Sequence, residues 1–210
     1  MAIASKNSMV GALNNKGLNN ALIRDFLLVV FASSLLAVSA QFKVPLGAVP
    51  ITLQSMVVML IGTIFGWRLG AATILAYWAE GIAIGGLFSM MPWFANGSGL
   101  VYFFGAPSAG FLWGFLPMVV VIGYLSDSFG WRKNIIKLFF ALVCGQICLY
   151  VCGLGHAYYV VLPTVDWMSN FSDMIGIYAS PFIFGDVVKT LLALLITFRV
   201  SKLLTFVFRK

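Results

Sequence analysis

Apart from residues near their ends, the long apolar runs of this chain hold only three charged groups: Glu80, Asp186 and Lys189. A soluble domain carries about 25% charged residues because its surface faces water. Here 9% of residues are charged, 61% are hydrophobic and the mean hydropathy is +1.01. Lipid must therefore be the solvent for most of the chain. At roughly 20 residues per crossing plus short connections, this length accommodates about six helices and no separate soluble domain.

The expected fold is all-α: one membrane domain over 1–210, a six-transmembrane-helix bundle behind a polar cytoplasmic N-terminus at 1–20. The apolar runs place the helices at about 22–40, 51–65, 69–87, 109–125, 135–162 and 178–200. Between helices 3 and 4, SMMPWFANGSGLVYFFGAP (89–107) is apolar but rich in Gly and Pro. It reads as a structured loop covered by protein, since bare backbone carbonyls and amides are not tolerated in lipid. Gly62, Gly66 and Gly70, and again Gly110 and Gly114, recur every four residues, a spacing that lets helix backbones approach closely.

The net charge of +7 does not indicate nucleic acid, because the basic residues sit singly or in small groups between apolar runs. With the N-terminus inside, eleven of the thirteen basic residues fall on the cytoplasmic side, and only Lys43 and Lys189 on the outer half. That asymmetry sets orientation in the inner membrane and places both termini in the cytoplasm. Cys144, Cys148 and Cys152, with His156, line one stripe of helix 5. They span about 18 Å along the axis, too far to surround one ion, and read as small packing residues.

A charge at the bilayer centre costs on the order of 2.5–3.5 kcal/mol, so intramembrane ionisable residues face a cavity or each other. Counting rise per residue, Glu80 lies about 17 Å up helix 3, and Asp186 and Lys189 about 12 and 17 Å down helix 6. All three are expected in one outer-half layer, with Gln54 near it. A self-neutralising cluster, a binding pocket open to the outside and an ion relay all fit that placement. Asn96-Gly97-Ser98-Gly99 is similar to the Gly-x-Ser-Gly of rhomboid intramembrane proteases, but the first glycine is replaced and the one histidine is on helix 5. An enzyme is not expected.

Three stretches together resemble one family. VPITLQSMVVMLIGTIFGWRLG (49–70) resembles the P-x-T-x-Q opening of the BioY family, the biotin-binding S components of energy-coupling-factor (ECF) transporters. PWFANGSGLVYFFGAPSAGFLWGF (92–115) is similar to its Gly/Pro segment, and PFIFGDVVKTLLA (181–193) to its P-F…G-D…K segment. Asn96 and Ala109 stand where glycines are usual, and Phe111 where a tyrosine is usual.

The resemblance implies uptake of biotin, or of another small vitamin-like molecule, through a site near the outer face capped by the loops after helices 1 and 3. It implies that Asp186 and Lys189 belong to the site, with Glu80 beside them, Asn96 in the ligand-facing loop and Trp93, Phe94 and Phe42 as aromatic walls. Gln54, at the same level, either faces the site or makes an ordinary helix–helix hydrogen bond. A ureido ring suits a carboxylate beside an ammonium. For the ligand's own carboxylate, Lys43 and the loop's backbone amides are both open. No cofactor is implied. The chain has no Walker-type G-x-x-x-x-G-K-[ST], so energy would come from a scaffold membrane subunit and ATPase partners. Ser33 and Ala37 on helix 1 either admit a scaffold helix or pack within the chain.

Overall fold

A computed structural model describes residues 4, 8–12, 18–45, 49–87, 92–164 and 170–207. A short helix α1 (Met9–Ala12) precedes α2 (Leu18–Gln41), and two two-residue strands follow, β1 (Lys43–Val44) and β2 (Ile51–Thr52). The strands pair antiparallel, Lys43 opposite Thr52 and Val44 opposite Ile51. Then come α3 (Gln54–Leu87), α4 (Gly99–Gly105), α5 (Ala109–Ser128), α6 (Ile135–His156), α7 (Phe171–Tyr178) and α8 (Ser180–Val207). Five helical stretches are long and apolar enough to cross a membrane: Ala21–Gln41, Gln54–Ala83, Ala109–Ser128, Ile135–Thr164 and Phe171–Leu203. The chain is a multi-pass membrane protein.

The sequence separates helices 2 and 3, whereas α3 runs on through both, with one non-helical residue inside it, Gly66 (φ 79, ψ 177). The two halves nevertheless lie side by side. A straight helix would hold Gln54 and Tyr77 about 34 Å apart, yet Gln54 Nε2 donates to Tyr77 Oη at 2.8 Å. Gly66 is thus the bend of a helical hairpin rather than a packing glycine alone. Asp127 at the end of α5 and Arg132 close this bend from outside. They pair at 2.6 Å with side chains 1% and 9% exposed, and Arg132 Nε donates to the Thr63 carbonyl at 2.7 Å. A guanidinium on the last carbonyls of the first half complements that helix end's negative pole.

The glycine spacing serves close packing as expected. A Cβ on Gly62 would meet Ile122 at 3.1 Å and one on Gly70 would meet Val119 at 2.7 Å, so α3 and α5 touch nearly backbone to backbone. Gly110 and Gly114 do the same for α5 against α6. The core they enclose includes Val58, Met59, Ile74, Met118, Ile122 and Leu142.

Other boundaries shift locally. Helix 1 extends to Leu18–Gln41, and helix 2 begins at Gln54 because Ile51 and Thr52 are spent on the strand pair. The expected loop at 89–107 contains the seven-residue α4 within its described part. Helix 5 ends as α-helix at His156 and continues as a wider π turn over Ala157–Val161. The start of helix 6 at 178 becomes a break at Ala179 between α7 and α8. Of the residues that orient the chain, Lys6, Lys16, Arg209 and Lys210 lie outside the described residues.

Part of the polar N-terminus is packed against the bundle. Ala4, Ser8, Met9 and Val10 are buried, with Ala4 and Val10 against Leu69, and the Ala4 amide donates to Asp25 Oδ2 at 3.0 Å. Arg24 ties the segment down through the Val10 carbonyl at 3.2 Å.

Ser33 and Ala37 resolve toward internal packing. Both are buried, at 0% and 7% exposure, on the α2 face that meets α3, and Ser33 Oγ donates to Glu80 Oε1 at 2.8 Å. The face of α2 turned outward instead carries Phe26, Val30, Phe31 and Val38.

Candidate functional site

At the end of the bundle holding the strand pair and α4 lies a cavity open on one side. Its lining comes from every layer around it: Gln54 and Ser55 at the start of α3, Phe94 and Tyr102 from the loop and α4, Phe111 from α5, Tyr150 from α6, and Asp186 and Lys189 from α8.

The polar end is built on α8. Asp186 and Lys189 are three residues apart and share one helix face, with Lys189 Nζ donating to Asp186 Oδ1 at 3.0 Å. Asp186 Oδ2 accepts a short bond, 2.6 Å, from Tyr150 Oη. Lys189 Nζ also reaches Ser55 Oγ at 3.4 Å. Eight residues further along both helices, Thr63 and Thr197 hydroxyls meet at 2.9 Å. The first half of α3 and α8 therefore run parallel, held by two polar rungs about 12 Å apart. Lys189 is 7% exposed, so its ammonium is a buried charge that needs hydrogen-bond partners. Among the described residues it has two acceptors, leaving one of its three N–H groups for a ligand.

The opposite walls are aromatic. Phe94 is 1% exposed, sits edge-on to Tyr77 at 5.3 Å and stacks on Tyr102 at 5.8 Å. It reaches that depth because Gly81 leaves room: a Cβ there would stand 2.2 Å from the Phe94 ring. Phe111 is edge-on to Tyr150 at 6.1 Å. The loop carrying Phe94 is held from both sides. Gln41 Nε2 donates to the Pro92 carbonyl at 2.7 Å, Lys43 Nζ to the Ala95 carbonyl and to Asn96 Oδ1 at 2.7 Å, and Tyr77 Oη to the Trp93 carbonyl at 3.3 Å.

Among the residues the sequence singles out, Asp186, Lys189, Gln54 and Phe94 line the cavity. Glu80 does not. Depth along a helix fixes a level, not a direction, and Glu80 is turned about 100° from the adjacent Gly81. Its carboxylate faces Ser33 and the Trp93 indole behind the cavity wall. Asn96 is exposed and engaged by Lys43, Trp93 lies outside the lining, and Phe42 is 63% exposed. Lys43 is occupied with the loop rather than with the cavity. Phe111, which stands where the family usually has a tyrosine, also lines the cavity, and so do Tyr150 and Ser55, which no sequence motif marks. The one signal for Tyr150 was a hydroxyl about 18 Å from the expected outer end of helix 5, close to the level of Lys189.

Comparisons with known proteins give a consistent result. The family model described as "BioY family" matches residues 9–206. The biotin transporter BioY of Rhizobium etli is 32% identical over 82% of this chain and 90% of its own length. That of Thermotoga maritima is 31% identical over 81% and 92%, and that of Rhodobacter capsulatus 36% identical over 78% and 85%. The fold matches the S-component for biotin from an ECF-type ABC transporter, solved by crystallography, with TM-score 0.72 at 22% identity, covering 89% of this chain and 95% of that one. These relatives are transporters rather than proteases, and with nearly the whole chain matched by the family model, the chain belongs to the BioY family.

Proposed function

We propose that this chain takes up biotin: it binds the vitamin in the cavity beside Asp186 and Lys189 and carries it inward as the substrate-binding component of an ECF-type transporter. The observation that carries this reading is a buried carboxylate–ammonium pair at the polar end of a cavity with aromatic walls, in a chain of the BioY family. One edge of a cyclic urea presents an N–H donor next to a carbonyl acceptor. Asp186 accepts from the first and Lys189 donates to the second. The fused sulfur-containing ring and the aliphatic chain then lie against Phe94, Phe111 and Tyr102, where apolar burial supplies most of the affinity.

The kinked α3 crosses twice, so the chain makes six crossings in the inner membrane with both termini in the cytoplasm. The exposed basic residues Arg68, Lys133 and Lys202 then lie at the inner surface and the cavity opens outward. A scaffold membrane subunit and ATPases supply the energy, and membrane lipid covers the apolar faces of α2 and α8. Neither metal nor cofactor takes part in binding. The test is equilibrium binding of labelled biotin to the detergent-purified chain, with unlabelled biotin, dethiobiotin and an unrelated vitamin as competitors. Saturable binding displaced by biotin supports the reading, and displacement by the unrelated vitamin alone overturns it.

A further inference from the structure

We infer that Tyr150 is a positioning residue for the binding pair: its hydroxyl keeps Asp186 from closing onto Lys189 and so holds both groups open to the ligand. This rests on the assignment of Asp186 and Lys189 to the site. A carboxylate and an ammonium three residues apart on one helix are free to neutralise each other through both carboxylate oxygens, and such a closed pair has little to offer a neutral ureido group. In this structure only Oδ1 meets Lys189, at 3.0 Å, because Oδ2 is held at 2.6 Å by Tyr150 Oη from α6. A carboxylate has about four acceptor positions. Two are used, one on each oxygen, and each oxygen keeps one for an incoming N–H. Lys189, drawn toward Ser55 on its other side, keeps a donor.

The placement of Tyr150 is itself fixed. Its ring stands edge-on to Phe111, and its neighbour Leu149 packs against the gap left by Gly114. Thr190, the next residue along α8 after Lys189, bonds the Asp186 carbonyl at 2.7 Å and steadies the same turn from below. The carboxylate is thus aimed by groups from α6 and α8 and its ammonium partner by α3, all before a ligand arrives. Such preorganisation removes part of the ordering cost from the binding step.

Tyr150→Phe removes the hydroxyl and keeps the ring against Phe111. The freed Oδ2 then closes onto Lys189 and biotin has to break that second contact; a hydrogen bond to a charged group corresponds to roughly a tenfold or greater effect, so biotin affinity is expected to fall about ten- to thirtyfold. Because Tyr150 acts through Asp186, the same change in an Asp186→Asn background should cost less than about threefold. A residue that only packs would cost the same in both backgrounds. Incorporation of 3-fluorotyrosine at 150, which keeps both ring and hydroxyl, should retain affinity within about threefold. Wild-type affinity in Tyr150→Phe, equal losses in the two backgrounds, or a fluorotyrosine protein as weak as Tyr150→Phe would each overturn the inference. If Asp186→Asn alone binds like wild type, the failure lies in the site assignment instead.

Discussion

Gly66→Ala should be among the most damaging single-methyl changes possible in this chain. Three observations set the size of the effect. The backbone at φ 79 and ψ 177 occupies a region populated almost only by glycine, and a side chain there costs about 1–3 kcal/mol. The new Cβ would stand 2.0 Å from Asp127 Oδ2 and 2.9 Å from its Cγ, so the carboxylate has to move. Moving it takes from Arg132, whose side chain is 9% exposed, its carboxylate partner while the bond to the Thr63 carbonyl stays, and breaking a buried pair costs about 3–5 kcal/mol. Together these amount to roughly 4–8 kcal/mol, comparable with the whole stability of an ordinary domain at about 5–15 kcal/mol. Gly130→Ala provides the contrast: its φ of 63 is also positive, but its Cβ meets nothing, so about 1 kcal/mol is expected. Folded yield and thermal midpoint in detergent measure both. A Gly66→Ala protein no less stable than Gly130→Ala would refute the hairpin reasoning.

Glu80→Gln keeps an acceptor for Ser33 and lies outside the cavity, so biotin affinity in a titration should change less than about threefold; a tenfold loss would return Glu80 to the site. Ala37→Trp forces a large ring between α2 and α3, where overpacking costs about 1–3 kcal/mol or more, and should lower thermal midpoint and binding together. Val38→Trp, on the 54% exposed face, should leave both unchanged, and a tolerated Ala37→Trp would contradict the burial argument. In a cysteine-free background, single cysteines at Lys133 and Ser172 should be labelled from the cytoplasm and from outside respectively, whereas labelling from one side would break the six-crossing map.

Much of this could be read in the chain itself, for a physical reason that also marks the limit. Apolar runs and basic loops report on lipid directly, and a charged pair such as Asp186 and Lys189 stands out because lipid penalises it. Azimuth does not show in the same way. In a helix apolar on every side, nothing distinguishes the face toward lipid from the face toward protein. Glu80 stands outside the cavity lining, bonded to Ser33 of α2, a direction that counting residues along helix 3 does not give. Tyr150 was hidden for the same reason, since aromatic residues are as ordinary in a lipid-facing position as in a cavity wall. Gly66 shared its spacing with Gly62 and Gly70, and only its positive φ separates a bend from a close contact.

The central claim is that the buried pair on α8 recognises the ureido group, and biotin affinity of Asp186→Asn and Lys189→Ala tests it most directly. Asp186→Asn retains shape and loses charge, which corresponds to roughly a tenfold to a few hundredfold weaker Kd. Lys189→Ala leaves a carboxylate without its cation in a low-dielectric pocket and should weaken binding at least as much. Each variant is first shown to elute as a monodisperse peak and then titrated with labelled biotin. Losses of that size in both are the predicted result; wild-type Kd in both well-folded variants would contradict the account and leave Asp186 and Lys189 as a pair that only neutralises itself.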